Sequence, residues 1–579
     1  MHSLHRFLID YDMAMLRALA QNRGVALTTN RQPEAADQLA TALLDPLSVR
    51  TALARLSSEG RTALEALLAA DGRIRAPHFA RRFGQVRPVG PGRLERETPW
   101  QNPANPAEEL WYAGLIYRAF AEEQGGPGEF VFVPDDLRPL LPEPQVGPPI
   151  FGIEPVPAPR HVPMPRDPRG GGQALVHDLF LFLVYVQNHD LRLYADGRLA
   201  RRDLAALHRR LSSPDERRLA FLRHLAGRLG FVVQKDGCLH LNAGPVRHWL
   251  TAAPSHQLAA LQQAWRDDPT WNDLCRVPAL DCDRDMPWRN DPLATRRALL
   301  ALLARCPLDG WWTLDSFTAA VKEIHPDFQR PDGDYGGWYI RDAASGDYLS
   351  SFESWDRVEG ALIADLLTGP LCWLGVVMAA VDAADPATAN LAATACRLTE
   401  AGARFLSLLP QEPEAQPPLA VAIHSDLTVE IPPPVSLYTR FQLERFADLE
   451  SEDPCCYRLT VDGLGRALGR GLEVEQVVAF LRQASDDRMP ANVAGQLHLW
   501  AGRFGQVELE EVALLQVKNE RVLKELSVLP ETRSLIGRVL SPTSAVVRKA
   551  DLPRLRVELR ALGFLPAEGS DDPSTTSPA

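Results

Sequence analysis

Cysteine is scarce in this 579-residue chain: there are eight, and no two stand at the Cys-x-x-Cys spacing of zinc or redox sites. A disulfide scaffold is therefore not expected. Cys275 and Cys282 have no nearby histidine pair to complete a metal site. Cys455 and Cys456 are adjacent, where a helix is expected to give way to "YRLT". Long apolar runs are missing too. The longest, "LVHDLFLFLVYV" and "GPLCWLGVVMAAV", fall short of the roughly 20 residues of a bilayer-crossing helix. The N-terminus mixes acidic with apolar residues and lacks the basic-then-apolar order of a secretion signal. A cytoplasmic protein without a membrane partner is expected.

The motifs of catalysis are equally absent. No Gly-x-x-x-x-Gly-Lys-Ser/Thr run exists to cradle phosphates, and there is no helicase-type acidic box to hold magnesium. Neither a His-Glu-x-x-His helix nor a Gly-x-Ser-x-Gly elbow occurs, and the 14 histidines form no cluster with ligand spacing. The run "GLGRALGRG" at Gly463 fails as a dinucleotide loop, because it is read as not following a strand and its third glycine is displaced. His424 reads as a half-exposed strand residue. The expectation is a protein with no enzymatic activity, cofactor or metal.

A formal charge of −12 argues against an all-round positive field for nucleic acid. Charge is uneven along the chain, however. From Arg192 to Arg228 basic residues outnumber acids, whereas acids gather in "LERFADLESEDP" and in the "EGSDDPSTTSPA" tail. Any contact with DNA is expected in the first half.

At this length, roughly three to five units of domain size are expected. Proline and glycine clusters mark linkers at 146–172 and 410–419, with a softer break ending at Pro292. Between them one pattern recurs three times: helices, then a last helix running into two short strands joined by a turn. The middle copy is clearest. "ALVHDLFLFLVYVQNH" reads as a helix, "LRLY" as a strand, "RRDLAALHRRL" and "PDERRLAFLRHLAGRLG" as helices, and "FVVQ" and "CLHLN" as strands. The intervening "KDG" offers the positive φ that tight hairpins need. This is the order of a winged helix. The fold class expected is mainly α with small β hairpins (α+β): residues 1–145 with N-terminal helices and a first winged-helix-like unit, 173–275 with a second and 293–409 with a third. In the first copy the stretch "RPVGPGRLERETPW" reads as a long loop. In the third, strands are expected at "CWLGVVMA" and "ATACRLT", and the loop over 325–352 is expected to be packed by its own aromatics, with Trp338, Tyr339 and Tyr348 burying surface between domains.

Residues 420–566 form the last domain, before a disordered acidic tail at 567–579. The alternation from Val421 to Ile431 in "VAIHSDLTVEIPPP" reads as one strand that stops at Pro432. Thr460 reads as an N-cap and Pro490 as a helix start, with Leu497, Trp500 and Ala501 on one core face. Leu552, Leu555, Leu559 and Leu562 form one stripe, and Gly563 ends that helix. The blocks "HSDLTVEI", "RFADLESE", "YRLTVDGLGRALGRGLEVEQVVAFLRQAS" and "MPANVAGQLHLWAGRFGQVEL" follow in order. Together they resemble the N-terminal domain of the XPB-type DNA repair and transcription helicases, which also occurs as a helicase-associated domain in bacterial proteins. The extension from "VLSPTSAVVRKADL" resembles that family's closing strand and helix. In that family the matching domain stands before an ATP-driven motor, and no motor is recognised here.

With winged-helix-like units and no motor recognised, the expectation is a non-enzymatic DNA-binding or helicase-accessory protein, with DNA as the partner and a separate helicase or ATPase subunit as a second one. The DNA-contacting candidates are Arg201, Arg202, Arg209, Arg210, Arg217, Arg218 and Arg228 on the second and third helices of the middle copy, Lys235 at its wing tip, and Arg81 and Arg82 in the first. A scaffold that recruits an ATPase without touching DNA is the alternative. DNA binding predicts one continuous basic surface across the first two units; a scaffold predicts scattered charge and an exposed apolar patch.

Overall fold

The structure is a computed structural model. It describes residues 3–123, 126–143, 151–153, 155–158, 171–283, 288, 290–308, 310–330, 333–381, 394–410, 419–507 and 511–567. Helices dominate the described residues, and the strands form small antiparallel sheets. The fold is thus mixed α and β. Two compact units result: Met1–Leu419 with Pro432–Arg445, and Ala420–Ile431 with Phe446–Ala579. The block expected as one domain over 420–566 is therefore interrupted. Its helix Leu437–Leu443 buries Arg440, Phe441 and Leu443 in the first unit. There the amides of Gln187 and Asn188 donate to the carbonyls of Phe441 and Glu444, both at 3.1 Å.

In the first unit, helices Leu4–Ile9, Met13–Arg23 and Gln32–Leu43 enclose a core of Leu4, Leu8, Leu16, Leu19, Leu39 and Leu43. Next to it a sheet places Gly126–Phe132 between Arg73–Arg75 and Tyr117–Glu123. The stretch expected as a long loop is instead the helix Pro91–Glu97 and the turn Pro99–Gln101. Leu94 and Trp100 bury themselves against Ala14, Ala18 and Tyr112, and that burial folds the segment. Buried Glu108 fastens its start, accepting from the Arg87 guanidinium at 2.6 and 2.8 Å.

Further along, Thr394–Leu398 lies between Val377–Val381 and Trp312–Thr313. The expected strand over 372–379 starts late, because Cys372 and Trp373 close the helix Pro370–Trp373 and Gly375, at φ +64°, turns the chain. The 325–352 segment does pack through aromatics, with Trp338 as expected and with Tyr335 in addition. Tyr335 is buried and donates to the Asp327 carboxylate at 2.8 Å, and Ile340–Asp342 pairs with Leu280–Cys282. Trp338 stacks on Trp288 at 5.4 Å, whereas Tyr339 and Tyr348 are 37% and 52% exposed. The Tyr348 hydroxyl accepts from the Arg341 guanidinium at 2.5 Å. Cys275 and Cys282 form a disulfide with Cα atoms 5.4 Å apart, a pairing not expected from their spacing. Within 146–172 the described Phe151 and Ile153 are buried core residues, and Val156 donates to the Trp311 carbonyl at 2.6 Å. Most of 410–419 and of the tail falls outside the described residues.

In the second unit, the segment read as one strand is a hairpin of Ala422–Ile423 and Thr428–Ile431, turned at Leu427 with φ +72°. The apolar alternation runs through the turn, which is why it reads as continuous. These strands join Cys455–Leu459 and Ala447–Glu452 in a four-stranded sheet. Cys455 and Cys456 therefore lie in a strand, pointing to opposite faces. Thr460 caps the helix Val461–Leu468, accepting from the Gly463 amide. That helix directly follows a strand, contrary to expectation. Gly463 is nevertheless a packing glycine: a Cβ there would sit 2.6 Å from the Phe446 carbonyl oxygen. In helix Ala491–Arg503, Val493 and Leu497 are buried, while Trp500 and Ala501 are only half-buried. A last sheet sets Ser544–Arg548 between Val512–Gln516 and Val539–Ser541. Leu555 and Leu559 of helix Leu552–Ala561 are buried in its core; Leu562 is exposed.

Candidate nucleic-acid interface

Residues 171–241 hold most of the candidate arginines. The apolar helix Gly171–Asn188 is followed by strand Leu191–Arg192, helices Arg201–Arg210 and Glu216–Arg228, and strands Val232–Lys235 and Cys238–Leu241, with the last strand central in the sheet. Asp236 and Gly237, at φ +52° and +74°, make the two-residue turn of that hairpin. Lys235 is exposed at its edge.

Helix Arg201–Arg210 buries Asp203 and Leu207 and leaves Arg201, Arg202, Arg209 and Arg210 exposed. Buried Asp203 accepts from the Tyr185 hydroxyl at 2.8 Å, which fixes the helix against its neighbour. Arg210 lies over the Tyr185 ring at 5.2 Å. Arg202 stands 3.8 Å from Asp203 and is 85% exposed, so that pairing is weak. Arg201, Arg209 and Lys235 have no ion pair among the described residues. Arg202 and Arg209 are seven residues apart and share a face.

Helix Glu216–Arg228 is different. Leu219, Leu222, Leu225 and Ala226 are buried as expected, with Leu229 half-buried just past its end. Arg218 is not on the exposed side. It is buried against Asp178 at 2.5 Å, and the Ser212 amide and hydroxyl donate to the same carboxylate at 2.8 Å. The step of about 100° from Arg217 to the next residue carries position 218 to the core flank. Arg217 is exposed but donates to Asp365 at 2.6 and 2.8 Å. Burial pushes the Asp365 carboxyl up, against the opposing pull of Arg217. Arg228 lies 3.3 Å from Asp268, a carboxylate it shares with His224. Burial disfavours the ionised Asp268, yet hydrogen bonds from His224 and Thr270 prevail and hold it below the usual carboxylate range.

Arg81 and Arg82 face acids of the 293–409 stretch. Arg81 donates to Asp327 at 2.5 Å and lies over the Phe352 ring at 4.7 Å; Arg82 is 3.7 Å from Glu323. The ten candidates thus divide. Arg201, Arg202, Arg209 and Arg210 share one helix with little neutralisation, Lys235 is exposed on the hairpin of Val232–Lys235 and Cys238–Leu241, and the other five are engaged with carboxylates. Sequence reasoning passed over Arg276, Trp271 and His224, which meet helix Glu216–Arg228 from a stretch without helical periodicity or within its flank.

Among the described residues no group of three or more His, Cys, Asp or Glu is arranged to hold a metal, and no helix is long and apolar enough to cross a membrane.

Comparison with known proteins shows a likeness to helicases over part of the chain: the family described as helicase conserved C-terminal domain matches residues 421–541, which include the four-stranded sheet of the second unit and end before the strand Ser544–Arg548. A particular relative is the DNA 3'-5' helicase XPB of Kineococcus radiotolerans, 29% identical over 157 residues, which cover 26% of this chain and 28% of that protein. The chain therefore matches a little over a quarter of that relative's length.

Proposed function

We propose that this is a non-catalytic helicase-accessory protein that binds duplex DNA through its first unit. Residues 171–241 serve as a winged helix in this reading, with strand order and hairpin turn as support. The observation that carries it is the set of weakly neutralised, exposed arginines on one helix, Arg201, Arg202, Arg209 and Arg210. The helicase similarity of the second unit supports work on DNA, with a separate ATPase as partner. Catalysis is assigned to that partner.

The test is fluorescence anisotropy with labelled duplex over a salt series. Wild type should lose affinity as salt rises, and the combined R201Q, R202Q, R209Q and R210Q variant should bind more weakly, its salt slope shallower by roughly 0.9 for each phosphate contact removed. Equal binding by both proteins would overturn the assignment. A second reading draws on the last sheet, where Val512 and Leu514 are 41% and 54% exposed on one side and Val539 and Leu540 are 52% and 57% exposed. Apolar exposure of this kind marks protein docking, and a scaffold role predicts it.

A further inference from the structure

The side of helix Glu216–Arg228 left free by its core stripe is the wall of a cleft of about 370 Å³. Arg223, His224 and Arg228 line it from the helix, and Trp271 and Arg276 from the segment that crosses opposite. Ala220 and Gly227 form the rest of the wall and leave it open; a Cβ at Gly227 would meet nothing within 4 Å.

Three guanidinium groups, those of Arg223, Arg228 and Arg276, border this cleft, and the Asp268 carboxylate is engaged by His224 and Arg228. Arg276 lies over the Trp271 ring at 3.5 Å, which holds its planar group in place. Arg223 is half-buried and has no anionic partner among the described residues. Burial alone moves its pKa downward. A partly desolvated guanidinium without a counter-charge is costly, and a bound anion relieves that cost.

We propose that this cleft binds a phosphate group, held by Arg223 and Arg276 with Arg228 at the rim. The planar fork of arginine matches tetrahedral phosphate oxygens in pairs, and the aromatic backing fixes one fork before binding. The phosphate comes either from the backbone of the duplex, which rests on the DNA reading above, or from a free or terminal phosphate. In the first case the cleft is a second anchor, separate from the Arg201–Arg210 helix.

Two measurements on the full chain separate these sources. Thermal unfolding is followed against inorganic pyrophosphate, with sodium chloride at matched ionic strength as the control, and duplex anisotropy is followed against salt. Both use wild type, R223Q and A220E, the last placing a carboxylate on the cleft wall from an exposed helix position. R223Q leaves no carboxylate unpaired, so it should fold as wild type does. If the cleft takes free phosphate, pyrophosphate raises the wild-type Tm and both variants lose the rise. If it takes the DNA backbone, R223Q lowers the salt slope by about one phosphate contact. A pyrophosphate response without duplex binding keeps the cleft and sinks the DNA reading. Duplex binding that neither variant changes, together with a pyrophosphate response absent from wild type or kept by both variants, overturns the cleft.

Discussion

Arg296 offers the sharpest test of the packing behind the cleft. It is 1% exposed and donates to the Asp273 carboxylate at 2.7 Å, to the carbonyls of Trp265 and Asp268 at 2.6 Å each, and to that of Trp271. It therefore ties down the chain from Trp265 to Asp273, including Trp271 in the cleft wall. Burial pushes the Asp273 carboxyl up, and Arg296 is the main opposing charge. R296M strands that carboxylate and three carbonyls. Breaking a buried pair by removing one partner costs about 3–5 kcal/mol. The unit concerned exceeds 400 residues. If it unfolds as one body, at about 2.1 cal/mol/K per residue, a loss near 4 kcal/mol lowers Tm by about 4 °C.

The pH dependence of that deficit has a definite sign. Without Arg296, the folded-state pKa of Asp273 rises further above its unfolded value. Stability from such a group is full below the unfolded pKa and is lost as pH rises through the folded one. The R296M deficit should therefore shrink in acid. Differential scanning calorimetry of R296M, D273N and R296M/D273N across pH is the assay. The double variant should lose less than the sum of the singles. Additivity within about 0.5 kcal/mol, or a deficit that does not change with pH, would refute the reasoning.

Other outcomes follow from the same geometry. R218M should lower stability by about 3–5 kcal/mol because it strands buried Asp178; denaturation will distinguish this from the Arg201–Arg210 set, whose loss should affect binding and leave Tm nearly unchanged. His78 and His325 have pKa values lowered first by burial; their stabilisation is present above their usual value of about 6.5 and is lost as pH falls through the depressed ones. H78Q/H325Q should flatten the fall of Tm in that window, and an unchanged slope would count against the burial argument. G463A should destabilise the second unit by about 1–3 kcal/mol, since its Cβ would press on the Phe446 carbonyl; a neutral effect in urea melts would show that the strand and helix can part.

Local signals in the sequence were reliable where one mechanism decided the outcome. The Asp236-Gly237 turn, the Thr460 cap and the Leu219 to Ala226 stripe are all properties of neighbouring residues, and each is where spacing put it. What spacing hides is partnership across the chain. Arg217 and Arg218 look alike as adjacent basic residues, yet one meets Asp365 and the other Asp178, carboxylates 148 and 40 positions away. The same limit explains the loop over 87–100, whose Leu94 and Trp100 find cover on a helix near the N-terminus. Alternation misleads in a different way at Val421–Ile431, since a tight hairpin preserves the apolar period on both sides of its turn. The candidate site was thus visible as a basic region but not as a set of free and engaged side chains.

The path of the backbone from Ile431 to Phe446 bears on how the molecule can be dissected. A truncation at the proline-rich stretch before Ala420 would look natural, but it would carry Phe441 and Leu443 away from the body that houses them. The upstream fragment would be left with an open apolar notch beside Gln187, and the downstream fragment with a greasy loop protruding from its sheet. Either piece would tend to clump in the tube, and a failed binding assay on such halves would report the scissors rather than the protein.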